Sequence, residues 1–104
     1  MADKELYKPF KSKAKNKKFT AIFSDEKGKK IKTVQFGDSR YEDYTIHKDK
    51  QRRDKYRSRH KGNLAKTTYM SPAYLSYYIL WGDSSNINTN INKYIKMFKL
   101  KLKK

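Results

Sequence analysis

The placement of charge in this chain limits where a core can form. Lys and Arg number 27 against 10 Asp and Glu, a net charge of +17, and 16 of those charges fall in three short blocks. Residues 1–18 carry seven Lys against Asp3 and Glu5. Residues 48–61 carry eight bases against Asp49 and Asp54, and residues 96–104 carry five Lys and no acid. Unpaired charge is expensive to bury, so these blocks read as surfaces or tails. The near-neutral stretches, 19–47 and 62–95, hold most of the aromatic and β-branched residues. A core must be assembled from those two.

A length of 104 residues allows one domain. The apolar share, 36%, is low, yet aromatics reach 14%. Disorder combines high charge with few aromatics; here the rings are retained, which predicts a small folded core with basic extensions. Cysteine is absent, which removes disulfides and thiolate metal sites. No run approaches the 18 or so apolar residues of a membrane span, and no apolar signal stretch opens the sequence. The expectation is a soluble, intracellular protein.

Residues 1–17 read as a basic flexible arm, with Lys11, Lys13, Lys15 and Lys17 at alternate positions and Pro9 opposing a helix. Leu6, Tyr7 and Phe10 are the residues by which the arm would anchor on a neighbour. From 18 to 99 the pattern predicts a single small α+β domain. Phe19-Thr-Ala-Ile-Phe23 and Ile31-Lys-Thr-Val-Gln-Phe36 alternate as strands, joined through Gly28 into a hairpin. Two strands are marginal alone, so the hairpin is expected to pack on a helix over residues 72–81. That helix starts at Ser71-Pro72 and is apolar or aromatic nearly all round. Residues 37–48 read as irregular. Asp49 is a candidate N-cap for a basic helix over 50–61, ended by Gly62. A last helix, opening near Asp83–Ser85, carries Ile87, Ile91, Tyr94 or Ile95, and Phe98 on one stripe. Residues 100–104 read as a basic tail. The order is β-β-α-α-α.

Catalytic and cofactor patterns are missing from the sequence. His47 and His60 stand 13 residues apart, which is no metal-ligand spacing, and no glycine-rich phosphate loop or nucleophile elbow occurs. The densest polar cluster is Asp38, Arg40, Glu42, Asp43, His47 and Asp49. A metal-dependent nuclease would use such carboxylates. They read instead as a turn residue, a cap and ion-pair partners for Arg52, Arg53, Arg57 and Arg59. No catalytic residue, metal, cofactor or small-molecule substrate is assigned. Trp81 reads as a packing residue rather than a platform for a base.

From Phe36-Gly to Asp49 the chain resembles a group of small basic proteins of giant, nucleocytoplasmic large DNA viruses, a family of unknown function. The shared pattern is Tyr-x-Asp-Tyr-Thr-x-His-Lys-Asp, met here by Tyr41, Asp43, Tyr44, Thr45, His47, Lys48 and Asp49. It continues through Tyr56, Arg59 and His60, an aromatic helix ending Ile79-Leu80-Trp81, and a closing helix over Tyr94–Phe98. Arg40, Leu64, Tyr77 and Tyr78 depart from it. The resemblance implies a non-enzymatic virion protein made in the cytoplasm of an infected host cell.

Read from the residues, the motif Tyr41, Asp43, Tyr44, Thr45, His47 and Asp49, with Tyr56, His60 and Trp81, is structural. It forms a hydrogen-bonded loop that holds the basic helix. The candidate polyanion- or partner-binding residues are Lys50, Arg52, Arg53, Lys55, Arg57, Arg59 and Lys61 on that helix, with Lys11, Lys13, Lys15, Lys17 and Lys18 in the arm. The first expectation is a minor capsid or cement protein whose basic arms and helix bind acidic capsid neighbours. The alternative is sequence-nonspecific nucleic-acid binding for genome packaging, by phosphate contacts. An anionic inner membrane is a further candidate partner.

Overall fold

The computed structural model describes residues 4–103. Residues 1–3 of the expected arm and residue 104 of the expected tail lie outside the described residues. The elements are β1 (Glu5–Tyr7), β2 (Phe10–Lys11), β3 (Lys17–Ser24), β4 (Lys30–Asp38), α1 (Tyr44–His47) and α2 (Lys50–Leu64). After them come α3 (Pro72–Leu75), which runs into a π-helical turn (Ser76–Leu80), then α4 (Ile87–Met97) and β5 (Lys101–Lys103). This is an α+β fold.

The hairpin forms as its alternation predicts. Strands β3 and β4 pair antiparallel, with Phe19 opposite Phe36 and Ala21 opposite Val34. Side chains two apart share a face, so Ala21, Phe23, Val34 and Phe36 all point into the core and are buried. In the connecting loop, Asp25 Oδ1 accepts the N–H groups of Lys27 and Lys29 at 2.9 and 2.8 Å. The helical layer supplies Leu75, Ile79, Leu80, Ile91 and Tyr94 to the same cluster. The two near-neutral blocks thus bury their apolar mass against each other.

Neither basic end is a free extension where it is described. β1 and β2 both run antiparallel to β3, with Leu6 opposite Phe23 and Phe10 opposite Thr20. β5 joins β1 in parallel, with Leu6 opposite Leu102. The reason is the second edge of β3. The hairpin satisfies one edge, and the other would present unpaired backbone groups beside the core. The N-terminal segment covers it, and Leu6 fills the core with 0% exposure. Lys8, Lys11, Lys13 and Lys15 stay exposed. The lysine repeat therefore records which side chains face solvent, and the folded unit reaches beyond 18–99 at both ends.

The aromatic helix is not one α-helix over 72–81. Ser71 Oγ accepts the Tyr74 N–H, as the Ser-Pro start predicts. After one turn, however, the ladder widens, and the Trp81 N–H reaches back five residues to the Ser76 carbonyl at 3.0 Å. Buried Asn90 stabilises this turn from α4. Its Nδ2 donates to the carbonyls of Ile79 and Ser84 at 2.8 and 2.7 Å, and its Oδ1 accepts the Ser84 N–H at 3.0 Å. The fit requires Gly82, since a Cβ there would lie 2.2 Å from the Tyr78 carbonyl oxygen. α4 opens at Asn86, which accepts the N–H groups of Asn88 and Thr89, rather than at residues 83–85. α2 runs two residues past Gly62 and ends on buried Leu64.

If the N-terminal segment is a strand of the domain, Leu6→Ala will lower the unfolding free energy by about 2–5 kcal/mol, the usual cost of truncating a core Leu. Urea denaturation measures this. An unchanged midpoint would return residues 4–11 to the status of a tail.

Candidate polyanion-binding site

α2 carries no apolar stripe, so its docking to the rest of the fold needs another source. Residues 53, 56, 57 and 60 share one face by helical periodicity, and each meets an aromatic ring. Tyr56 lies flat on Trp81, centroids 4.2 Å apart at 7°, and His60 stacks on the other side of Tyr56 at 4.1 Å. The guanidinium of Arg53 sits 4.9 Å from the Tyr44 ring and that of Arg57 5.3 Å from the Tyr77 ring. Asp83 completes the seat. Its carboxylate accepts from Arg57 at 3.0 Å and from Lys93, and its backbone carbonyl accepts from Arg53 at 3.2 Å. The Lys93 and Arg57 hydrogen bonds hold the Asp83 carboxyl below its ordinary value.

The motif Asp43–Asp49 is a pair of helix caps in succession. Asp43 caps α1, its Oδ1 accepting the Thr45 N–H at 2.8 Å and the Thr45 hydroxyl. Lys48 takes the left-handed conformation that ends α1, and Asp49 caps α2 by accepting the N–H groups of Gln51 and Arg52. His47 fixes the corner between the two helices: its Nδ1 accepts the Asp49 N–H at 2.9 Å. Its ring lies 5.3 Å from Trp81, and its Nε2 is buried without a partner among the described residues. Residues 37–48 are therefore more ordered than their composition suggests. The expected bond between Asp43 and the Arg-rich helix is not made. Asp43, 2% exposed, pairs instead with Lys18 Nζ of β3 at 2.5 Å. Lys18 is thereby removed from the set of binding residues.

Between these parts lies an open cleft of about 670 Å³. Lys17, Gly37 and Asp38 line the sheet side, Tyr41 and Glu42 the loop side, and Arg52, Tyr56, Arg59 and His60 the α2 side, with Trp81 below. Gly37 is needed at the floor: its φ is +81°, and a Cβ would meet Leu80 Cδ1 at 2.7 Å. A second, shallower groove is lined by Arg52, Asp54, Lys55, Ser58 and Arg59 of α2 and by Trp81, with Asp54 paired to Arg53 at 3.0 Å.

The binding residues predicted on α2 therefore separate into two sets. Arg53 and Arg57 are committed inward. Lys50, Arg52, Lys55, Arg59 and Lys61 are exposed and make no ion pair among the described residues. Arg52, Lys55 and Arg59 form a row at i, i+3 and i+7. Lys11, Lys13, Lys15 and Lys17 are also exposed, and of these Lys17 borders the cleft. Asp83 was missed as an anchor, although it is the one acid in residues 62–95. Asp38 is occupied by Arg40, whose hydrogen bond lowers the Asp38 carboxyl to about 2.

Comparison with known proteins adds one match. Residues 10–60 match the model of a family of unknown function, DUF5754. Neither a curated protein nor a solved structure matches the chain. The matched segment contains β3, β4, both caps and most of α2. Among the described residues no three His, Asp or Glu side chains gather in a way that could hold a metal ion.

Two measurements test this assembly. Asp43→Asn keeps an oxygen for the cap but strands the Lys18 ammonium, which costs on the order of 1–3 kcal/mol. Lys18→Met in the same chain should recover part of that loss, and strictly additive effects would show that the pair contributes nothing. Burial pushes the Tyr56 phenol up to about 12 from 10.0. Neutral Tyr56 thus contributes its full stability below pH 10 and loses it as pH rises through about 12. Phenolate absorbance should lose a late-titrating component in Tyr56→Phe; an unchanged alkaline limb would contradict the buried stack.

Proposed function

We propose that this is a non-enzymatic virion protein that binds nucleic acid without sequence preference, through phosphate contacts along the outer face of α2. The observation that carries the reading is the row Arg52, Lys55 and Arg59. Three cations stand on one helix face with no carboxylate partner among the described residues, beside a cleft whose other charges are mostly paired. Cations released from internal duty meet a polyanion at little desolvation cost, and counterion release drives the association. The virion setting rests on the viral resemblance of the Tyr41–Asp49 motif.

A minor capsid or cement role is the second reading, and the same resemblance favours it. Its argument from free basic arms does not carry over, since both described ends are strands of the sheet. Quantitative mass spectrometry of shell and core fractions from purified particles separates the two. Recovery with the genome supports nucleic-acid binding; recovery with the shell supports the cement role.

Binding in solution gives the sharper test. If Arg52, Lys55, Arg59 and Lys61 each neutralise one phosphate of duplex DNA, log affinity will fall against log salt with a slope of about −3 to −4. Replacing Arg52 and Arg59 by Gln should flatten that slope by about 0.9 per residue. Arg53→Gln should instead lower stability through the lost Tyr44 contact. Fluorescence anisotropy with duplexes of unrelated sequence measures both slopes, and urea denaturation measures the Arg53→Gln effect. A slope unmoved by the Arg52/Arg59 double variant would sink the proposed surface.

A further inference from the structure

We propose that the cleft between α2 and the Tyr41–Glu42 loop takes one unpaired nucleotide of a single-stranded nucleic acid, with its phosphate on Arg52 and Arg59 and its base on Tyr41. This rests on the nucleic-acid reading above and names the form of the ligand. Size is the first argument. A space of about 670 Å³ lies within the range of small-ligand sites, and it is open on one side, as a chain entering and leaving would require. A duplex keeps its bases stacked inside a convex surface of phosphates. It can lie along Arg52, Lys55 and Arg59, but it cannot deliver a base into the cleft without unpairing one.

The charges of the walls set the orientation. The α2 wall presents Arg52 and Arg59, both exposed and without ion-pair partners among the described residues. The loop wall presents Glu42, also unpaired, which repels a phosphate placed beside it. On the sheet wall Lys17 adds one exposed cation against the two guanidinium groups of α2, while Lys18 with Asp43, and Asp38 with Arg40, are already neutralised. The phosphate therefore belongs at α2, and the uncharged base belongs at the loop.

Ring availability selects Tyr41 as the stacking surface. Trp81 lies between Tyr56 and His47, and Tyr56 lies between Trp81 and His60. Each of those rings already has an aromatic neighbour. Tyr41 is 68% exposed, and among the described residues its ring meets only the Arg40 guanidinium, at 6.0 Å. An aromatic ring left in solvent at the lip of a basic cleft is the arrangement by which single strands are held, since every base offers a face for stacking.

The test is fluorescence anisotropy of the full chain with an oligothymidylate, and with a duplex of equal length, at one salt concentration. The single strand should bind more tightly. Tyr41→Ala should weaken single-strand binding by about 5- to 150-fold, the range of base–aromatic stacking, and leave duplex binding unchanged. Tyr41→Phe should retain single-strand affinity. Tyr41 is exposed, so the Ala variant should fold, and its thermal midpoint verifies this. Equal affinity for both probes, indifferent to Tyr41→Ala, would overturn the nucleotide site while leaving the phosphate-binding surface standing. Binding to neither probe at low salt would overturn both.

Discussion

The face-to-face contact of Tyr56 with Trp81 is the joint on which the seating of α2 depends. α2 is too polar to dock by hydrophobic burial, and eight bases lie in residues 48–61. What holds it is a set of ring contacts: Trp81 against Tyr56, and two guanidinium groups over Tyr44 and Tyr77. Each such contact contributes roughly 0.5–2 kcal/mol. None suffices alone, and their sum is comparable to one well-buried core side chain. A helix seated this way keeps its remaining charged face clear of the protein.

That joint exists because the preceding helix changes pitch. The π turn over Ser76–Leu80 leaves Ile79 and Leu80 in the core while Trp81 faces α2. The widened turn depends on Asn90 for its carbonyls and on Gly82 for its clearance. On the sheet side, Leu80 is admitted because Gly37 has no side chain to meet it. Core packing and the shape of the cleft are therefore the same set of contacts seen from two directions. A substitution at Gly37 or Gly82 reaches the cleft without touching a charged residue.

The hairpin and the caps at Asp49 and Ser71 were legible in the sequence because each is a local signal. Alternation marks a half-buried strand, and a side-chain oxygen next to a helical run marks a start. The stripe from Ile87 to Phe98 was legible for the same reason. β1, β2 and β5 were not. Each is two or three residues long, and strands that short show no period; they exist because β3 has an edge to fill. The π turn also escaped, since a run apolar nearly all round has no face by which to judge its pitch. At the candidate site, the sequence marked a basic helix over 50–61 but could not divide its charges. Arg53 and Arg57 differ from Arg52 and Arg59 by what lies opposite them, and Tyr44, Tyr77 and Asp83 are brought there by the fold.

The division between the two cations follows from their chemistry. Four of the five Arg residues lie on α2, and the two turned inward each cover an aromatic face. A guanidinium is planar and weakly hydrated, so it stacks on a ring while still donating to a carboxylate; an ammonium is compact and holds its water. Lysine fills many of the positions where charge has only to remain in solvent, including Lys11, Lys13 and Lys15. Arg52 and Arg59 break this pattern. They are exposed guanidinium groups on the wall of a cleft, at positions where nothing in the fold itself calls for more than the charge of a lysine. A planar group there suits a planar or forked anion, which is why the proposed binding surface rests on these two positions more than on the abundance of lysine.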